Sequence, residues 1–203
     1  DERMARGLIG KALAELGQLD YRGRIEFYIY NEPMRDKSYL HECLSWARSL
    51  VPRACLMIAT NGDYIGSADD IMLLYSSGLN QLLINCYSPG LYNRRLPWVE
   101  SVASQGVSVT DSVYAVLSPH KRVIKMLDKS GSVEDFGKGV FSMVNRAGNI
   151  PDLLPPLTSP VNRMCAKPFR LLNINWKGEA LLCCQDYYGD VAFGDLSDQT
   201  LVE

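Results

Sequence analysis

Several features that mark whole classes of protein are missing from this sequence. It contains no apolar run of about 18 residues, the length that a membrane-spanning helix needs. The first residues, Asp1 to Arg3, lack the charged-then-apolar pattern of a secretory signal. The net charge of -2 provides no excess of basic residues, so we expect neither a membrane nor a nucleic acid as a partner. We expect a cytoplasmic protein.

Histidine is also scarce, since the sequence has only two, His41 and His120, and neither has a partner that suggests metal binding or nucleophilic catalysis. Cysteine is more plentiful, and in a cytoplasmic protein we expect the thiols to stay reduced and able to bind metal. Cys43 on a helix face and Cys55 in a strand have the pattern of core residues. The six cysteines are Cys43, Cys55, Cys86, Cys165, Cys183 and Cys184.

Strands alternate with helices along most of the sequence, and 47% of the residues are hydrophobic, enough for a substantial core. This alternation predicts an α/β fold with a parallel sheet. The predicted helices cover residues 3–19, 37–50, 69–77, 96–105 and 119–129. The predicted strands cover residues 24–30, 54–59, 82–87, 107–117 and 140–144. Because no strand precedes the first helix, we expect the parallel unit to begin upstream of Asp1.

Polar residues follow the ends of four predicted strands, at Asn31-Glu32, Thr60-Asn61, Asn85 to Ser88 and Asn145-Arg146. The carboxyl ends of parallel strands meet at one edge of a sheet and form the ligand-binding side of α/β folds. Turn residues are often polar for local reasons alone. Their joint placement at one edge nevertheless predicts a ligand site.

A proline-rich stretch over residues 151–164 predicts a linker before the last part of the chain. After it, residues 170–176 and 179–184 have the pattern of two strands joined by a turn at Lys177-Gly178. Such a hairpin would bring Cys165 near Cys183. Thiolates so placed suit an iron–sulfur cluster or zinc. Alternatively, Cys183 and Cys184 are small core residues of a strand.

In these features the sequence resembles the radical SAM enzymes that carry a C-terminal SPASM or shorter twitch domain for auxiliary iron–sulfur clusters. The hairpin matches most specifically, with Cys165, twelve residues, Gly178, four residues and Cys183. The other matching segments are Asn31-Glu32-Pro33, Thr60-Asn61-Gly62 and residues 145–149. The resemblance covers nearly the whole chain in family order.

The resemblance implies a partial (β/α) barrel of about six βα units over residues 1–150, with the first strand missing. Residues 151–164 would be the linker, and residues 165–203 a SPASM/twitch-like domain that is C-terminally incomplete. S-adenosylmethionine (SAM) would chelate a [4Fe–4S] cluster, and its reductive cleavage would yield a 5′-deoxyadenosyl radical that takes a hydrogen atom from the substrate. An auxiliary iron–sulfur cluster, a peptide or small-molecule substrate, and an electron donor such as flavodoxin or ferredoxin are also implied.

Carried over residue by residue, the resemblance implies that Glu32 accepts hydrogen bonds from the methionyl ammonium of SAM. Cys165 and Cys183 would bind the auxiliary cluster, with Cys184 either a third ligand or a packed neighbour. The catalytic residues stay unknown. The implied SAM-contacting residues are Asn31, Glu32, Pro33, Thr60, Asn61, Asn85, Ser88, Asn145 and Arg146.

The sequence departs from the family in two places. Tyr30 and Asn31 stand where the family's Gly-Gly-Glu-Pro motif has glycines. The CxxxCxxC motif that ligates the SAM cluster is absent, so the ligands of that cluster are not in this chain. We therefore expect a truncated enzyme, inactive in this form, with a noncatalytic relative as the alternative. A third hypothesis, from the cysteines alone, is an α/β protein with a structural zinc hairpin.

Overall fold

A computed structural model describes residues 3–130 and 164–203 of the chain. The chain divides into two compact units. The first unit is Leu16–Phe141, and the second combines Asp1–Glu15 with Ser142–Glu203. In the described part of the chain, no helix is both long and apolar enough to cross a membrane.

The first unit is built on a five-stranded sheet in which every pair of neighbours is parallel. Its order is β1-β2-β3-β5-β4. The strands are β1 (Arg24–Glu26), β2 (Cys55–Thr60), β3 (Gln81–Cys86), β4 (Ser108–Val109) and β5 (Val123–Asp128). The alternation of strands with helices therefore correctly predicted an α/β fold with a parallel sheet.

Four helices are described, and three of them connect strands of the sheet. They are α1 (Arg6–Gln18), α2 (Lys37–Leu50), α3 (Ala68–Ser76) and α4 (Leu91–Ser104). Side chains cap the first turns of two of them, since Asp36 accepts a hydrogen bond from the backbone N–H of Tyr39 before α2, and Ser67 accepts one from Asp70 in α3. Such caps satisfy N–H groups that have no partner inside the helix, which is why the helices begin at these residues.

The core lies along the middle strands. β2 and β3 are almost wholly buried, which fits their largely apolar sequences. On one face of the sheet, Met57, Leu83 and Val123 form a buried cluster with Val113. Tyr28, Ala59, Val116 and Leu127 pack against this cluster. The polar strand ends therefore follow strands that are packed into the core.

The prediction of a helix over residues 119–129 is wrong, because this segment forms β5. The strand pairs with β3 along its whole length, from Gln81 opposite Val123 to Cys86 opposite Asp128. Apolar residues at 123, 124, 126 and 127 fit a helix as well as a strand. Pairing with a buried neighbouring strand outweighs that weak local preference.

The prediction of a long strand over residues 107–117 is also wrong. β4 has only two residues, and a 3₁₀ turn follows at Val113–Ala115. The Thr110 hydroxyl accepts a hydrogen bond from the backbone N–H of Ser112 at 3.2 Å, a local turn that competes with strand pairing. Because β5 lies between β3 and β4, the sheet order departs from the chain order after the third strand. The predicted strand over residues 140–144 lies outside the described residues.

The second unit contains a three-stranded antiparallel sheet of β6 (Asn173–Ile174), β7 (Glu179–Leu181) and β8 (Ala192–Asp195), in that order. The turn between β6 and β7 is organised by Asn175, whose side-chain oxygen accepts hydrogen bonds from the backbone of Lys177 and Glu179, each at 3.0 Å. Gly178 has a φ of +102°, a backbone conformation that favours glycine.

The first fifteen residues of the chain group with this second unit, which the sequence did not indicate. Lys11 of α1 donates hydrogen bonds to the carbonyl oxygens of Leu196 and Gln199, each at 2.7 Å. Glu15 accepts a hydrogen bond from the backbone N–H of Leu201 at 2.6 Å. The predicted linker over residues 151–164 falls almost wholly outside the described residues, and its boundaries stay predictions.

Candidate functional site

The Glu32 carboxylate joins the loops that follow two neighbouring strands. It accepts hydrogen bonds from the Thr60 hydroxyl at 2.6 Å, the Asn61 backbone N–H at 2.7 Å and the Met34 backbone N–H at 2.9 Å. Thr60 is the last residue of β2, which pairs with β1. Hydrogen bonds to an ionised acceptor are stronger than neutral ones. The carboxylate therefore links the loop that follows β1 to the carboxyl end of β2.

Local sequence explains why these groups meet. Glu32 precedes a 3₁₀ turn, Pro33–Asp36, and caps its Met34 N–H, while proline suits the first position of a helical turn. The Thr60 hydroxyl also accepts a hydrogen bond from the Gly62 backbone N–H at 3.1 Å. Gly62 has a φ of +80°, and a Cβ built there would lie 2.8 Å from the Ile84 side chain. Both the positive φ and this close approach favour glycine in the turn that follows Thr60.

This arrangement leaves Glu32 suited to bind a cation. Its two oxygens offer about four acceptor positions, and the hydrogen bonds described above use three of them. Glu32 is half-buried, so its carboxylate keeps some access from the strand edge. An ammonium group that approached this edge would meet a negative charge already held in one orientation.

The two asparagines of this edge are used by their own loops. Asn31 accepts a hydrogen bond from the backbone N–H of Ile29 at 3.1 Å, and Asn61 accepts one from Asp63 at 2.9 Å. Pro33 is buried. Such short-range bonds are a common use of asparagine in turns. The predicted SAM contacts of these residues stay predictions.

Asn85 and Ser88 lie at the end of the next strand. Ile84 pairs with Thr60, so Asn85 is one residue beyond that pair at the same edge. The Asn85 side-chain oxygen is buried and has no hydrogen-bond partner among the described residues. A buried polar atom without a partner suggests a group that is bound in the working protein. Ser88 donates a hydrogen bond to Asp63 at 3.4 Å. Asn145 and Arg146 lie outside the described residues.

Three charged residues at this edge escaped the sequence analysis: Asp63, Arg95 and Lys129. The Arg95 guanidinium donates to the carbonyl oxygen of Gly62 at 3.3 Å and stacks on the Trp98 ring at 4.3 Å. Lys129, which follows β5, has its ammonium 5.6 Å from the Tyr87 ring centre, and burial lowers its pKa. Arg95 was missed because the predicted helix began at residue 96, and Lys129 because its strand was predicted as a helix.

The cysteines of the first unit have a structural role. Cys86 is buried, and burial, followed by the charge of Asp128, raises the pKa of its thiol to about 11. Burial also raises the pKa of Cys55, and Cys43 is buried as well. Metal ligation requires the thiolate, which the surroundings of Cys55 and Cys86 disfavour. The expectation that Cys43 and Cys55 are core residues is confirmed by their burial.

The other three cysteines lie in the second unit, and all six cysteines fall within the described residues without forming a disulfide. We call residues 183–191 the cysteine loop. The Cys183 sulfur accepts a hydrogen bond from the backbone N–H of Gln185 at 3.4 Å, and the Cys184 sulfur accepts one from the Lys167 ammonium at 3.4 Å. Cys165 is exposed. Sulfurs that accept N–H hydrogen bonds fit the environment of iron–sulfur ligands.

Asp186 fixes the shape of this loop. Its buried carboxylate accepts hydrogen bonds from the backbone N–H groups of Gly189, Asp190 and Val191, at 2.8–3.0 Å. Its own N–H donates to the carbonyl oxygen of Cys183 at 3.1 Å. The loop that carries Cys183 and Cys184 is therefore fixed by hydrogen bonds within the chain.

The fit to metal is different for the two clusters that the family resemblance implies. Within residues 3–130 and 164–203, no three His, Cys, Asp or Glu side chains are gathered closely enough to hold a metal ion. Cys165, Cys183 and Cys184 have the donor chemistry of an auxiliary cluster but are not gathered, and their ligand roles stay predictions. The sequence has no CxxxCxxC motif, so the residues of this chain do not fit the SAM-binding cluster.

Comparison with known proteins gives three findings. Residues 165–203 match the SPASM family, an iron–sulfur cluster-binding domain. The chain is 24% identical over 188 residues to the S-adenosyl-L-methionine-dependent 2-deoxy-scyllo-inosamine dehydrogenase of Niallia circulans. This match covers 92% of the chain but only 64% of that enzyme, so the chain spans less than two thirds of its relative.

The third finding is a likeness of fold. The crystal structure of BtrN in complex with AdoMet and 2-DOIA matches with a TM-score of 0.67 and 21% identity, over 98% of this chain and 68% of that one. The open conformation of BtrN matches with a TM-score of 0.62 and 20% identity, over 98% and 66% of the two chains. The α/β fold with its parallel five-stranded sheet is therefore that of BtrN.

Proposed function

We propose that this chain is an oxidoreductase acting on a hydroxylated small molecule. The premise is that it belongs to the radical SAM enzymes that carry a C-terminal SPASM domain. SAM, when bound, supplies the chemistry that removes a hydrogen atom from the substrate. The residues of this chain bind and orient SAM at the carboxyl edge of the parallel sheet. The hydrogen-bonded Glu32 carboxylate is the observation that carries the proposal.

Glu32 binds the methionyl ammonium of SAM in this proposal. Thr60 and Asn61 hold its carboxylate in one orientation, so little reorganisation is needed when the cation arrives. Asn85 completes the site from the neighbouring strand, because its buried oxygen can accept a hydrogen bond from a ribose hydroxyl. These groups do not perform the hydrogen abstraction themselves but place the cofactor for it.

The choice of a small molecule over a peptide is supported by the relative from Niallia circulans, whose name gives 2-deoxy-scyllo-inosamine as its substrate. The second unit would hold the auxiliary iron–sulfur cluster through Cys165 and Cys183, with Cys184 either a third ligand or a neighbour. Flavodoxin or ferredoxin would serve as the electron donor. Oxidation of an alcohol to a ketone is the reaction class that we propose. SAM chemistry would remove one hydrogen atom from the carbon, and the second electron would pass to the auxiliary cluster as the hydroxyl proton leaves.

The first experiment measures SAM binding to the full-length protein that contains this chain, after anaerobic reconstitution with iron and sulfide. Glu32→Gln keeps the size of the side chain but removes its charge. We expect SAM affinity to fall about 10- to 100-fold, the effect of losing a hydrogen bond worth about 1.5–3 kcal/mol. Glu100→Gln, at an exposed position of α4, is the matched control and should bind SAM as the wild type does. Equal affinity in Glu32→Gln would contradict the proposed site.

The second experiment tests the reaction. The reconstituted protein is supplied with SAM, a reductant and either 2-deoxy-scyllo-inosamine or a peptide mixture, and 5′-deoxyadenosine and oxidised substrate are measured. We expect 5′-deoxyadenosine to accumulate with the hydroxylated small molecule. Bound zinc without iron or sulfide, together with no SAM cleavage, would support the structural zinc protein instead. Iron–sulfur clusters without any SAM cleavage would support a noncatalytic relative.

A further inference from the structure

One face of the parallel sheet, the face that carries the buried Met57–Leu83 cluster, is not buried along its whole length. In β2 and β3 every residue is buried except Ala59 and Asn85, which are partly exposed. Residues two apart in a strand share a face, so Ala59 lies on the face of Met57, and Asn85 on the face of Leu83. Leu127 of β5 also packs against this cluster and is partly exposed. The face is therefore buried at its amino end and partly exposed towards the carboxyl edge.

Two tyrosine hydroxyls meet on this face. The hydroxyl oxygens of Tyr28 and Tyr114 lie 3.0 Å apart, although the two residues are 86 positions apart in the sequence. Tyr28 follows β1 and packs against the buried cluster. Tyr114 belongs to the 3₁₀ turn after β4, and its neighbour Val113 is a member of the cluster. The two hydroxyls are therefore brought together by separate parts of the chain.

Charged neighbours hold the tyrosine pair and balance one another. The Arg24 guanidinium donates a hydrogen bond to the carbonyl oxygen of Tyr114 at 3.0 Å and lies 5.1 Å from the centre of its ring. Another nitrogen of Arg24 lies 3.8 Å from a carboxylate oxygen of Glu26. Burial, followed by the hydrogen bond with Tyr114, raises the pKa of Tyr28, so this hydroxyl keeps its proton. The pair is therefore suited to a neutral, hydroxylated group.

The spacing of the two oxygens indicates which hydroxylated group fits. A phenol oxygen can accept hydrogen bonds while its own proton is donated elsewhere, so the pair offers acceptor positions on two oxygens 3.0 Å apart. Neighbouring hydroxyls on a saturated ring have a similar separation, and both can donate to the pair at once. Ala59 and Leu127, on the same face, are apolar neighbours for the carbon atoms of such a ring.

We propose that Tyr28 and Tyr114 form a substrate-binding site for two neighbouring hydroxyl groups of a cyclic polyol. This inference rests on the proposed function, because it names the substrate class of the same site. Asn85, to which we assign the ribose of SAM, lies on the same face of the sheet as the tyrosine pair. Substrate and cofactor would therefore meet on one side of the sheet.

The test measures binding to the reconstituted full-length protein by titration calorimetry, with SAM present and without a reductant, so that no turnover occurs. The two probes are 2-deoxy-scyllo-inosamine, which carries neighbouring hydroxyls, and 4-aminocyclohexanol, which has the same ring and amine but a single hydroxyl. Tyr28→Phe and Tyr114→Phe each remove one hydroxyl and keep the ring. Tyr64→Phe, at an exposed position of the same unit, is the matched control.

We expect Tyr28→Phe and Tyr114→Phe each to lower the affinity for 2-deoxy-scyllo-inosamine about fivefold, the effect of losing one hydrogen bond. The affinities for 4-aminocyclohexanol and for SAM should stay at the wild-type values, and Tyr64→Phe should change none of the three. A general structural role of the tyrosines would instead weaken the binding of both probes alike.

Equal losses for the two probes in Tyr28→Phe, or no loss for either, would overturn the inference. The same holds if the wild-type protein binds both probes with equal affinity or binds neither. The proposed function stays intact in these cases if the wild-type protein still binds SAM and cleaves it with another hydroxylated substrate. A wild-type protein that binds neither SAM nor the polyol would overturn both.

Discussion

Two carboxylates in this molecule, Glu32 and Asp186, accept hydrogen bonds from several described groups, yet the residues that donate them differ. At Glu32 the donors come from its own turn and from the end of the neighbouring strand β2, and the side chain is half-buried. At Asp186 the described donors are three backbone N–H groups of its own loop, and the side chain is wholly buried.

The difference separates a structural carboxylate from one that can bind a ligand. The buried Asp186 carboxylate accepts its hydrogen bonds from its own loop, so its role is to fix the shape of the cysteine loop. Glu32 is oriented by its neighbours but keeps an approach from the strand edge. A count of hydrogen bonds alone would not distinguish the two.

The largest expected effect is at Asp186. Asp186→Ala removes three hydrogen bonds to a buried carboxylate, and we expect it to lower the free energy of unfolding by about 3 kcal/mol or more. SAM binding by the protein that remains folded should change little. Chemical denaturation followed by circular dichroism measures the first quantity. Asp198→Ala, at an exposed position, is the control. A fully stable Asp186→Ala variant would contradict the structural role of Asp186.

A smaller effect is expected at Thr60, and it should appear in SAM binding and not in the free energy of unfolding. Thr60→Val removes the hydroxyl that orients Glu32 at 2.6 Å. We expect SAM affinity to fall about fivefold, the effect of losing a hydrogen bond worth about 1 kcal/mol. Thr60→Ser keeps the hydroxyl and should restore most of the affinity, as titration calorimetry would show. If Thr60→Ser and Thr60→Val bound SAM with the same affinity, the Thr60 hydroxyl would not be the group that positions Glu32.

The smallest effect concerns the buried thiol of the first unit. Burial raises the pKa of Cys86 to about 11, so the folded chain keeps this proton at a pH where the unfolded chain has lost it. The unfolded state then binds fewer protons, and stability falls as the pH rises from the ordinary thiol pKa towards 11. Cys86→Ala should lose this part of the pH dependence. Unfolding midpoints of both proteins at about pH 8 and about pH 10 would measure it.

Local sequence was sufficient for some elements and insufficient for others. The helix over residues 37–50 has the same bounds in the structure, because its apolar spacing and the Asp36 cap both act locally. The segment 119–129 has a spacing that fits either structure, and its pairing with β3 decides for a strand. A residue pattern cannot contain that information, since the deciding partner lies about forty positions earlier in the chain.

The candidate site shows the same division. The sequence placed Glu32, Thr60 and Asn61 after strand ends, and the structure joins them through one carboxylate. Arg95 and Lys129 were missed because their elements began or ended elsewhere than predicted, and Asp63 was missed although it directly follows the predicted segment Thr60-Asn61-Gly62. The roles of the predicted residues in binding SAM and metal stay predictions until the experiments above are performed.

By itself the sequence determined the α/β class, the resemblance to radical SAM enzymes with a SPASM domain and the polar character of the strand ends, since all of these depend on residue types and short spacings. Only the tertiary structure decided that β5 lies between β3 and β4, that Glu32 and Asp186 have different surroundings, and that Lys167 lies beside Cys184. These features depend on contacts between residues far apart in the chain, and such contacts exist only after the core has packed.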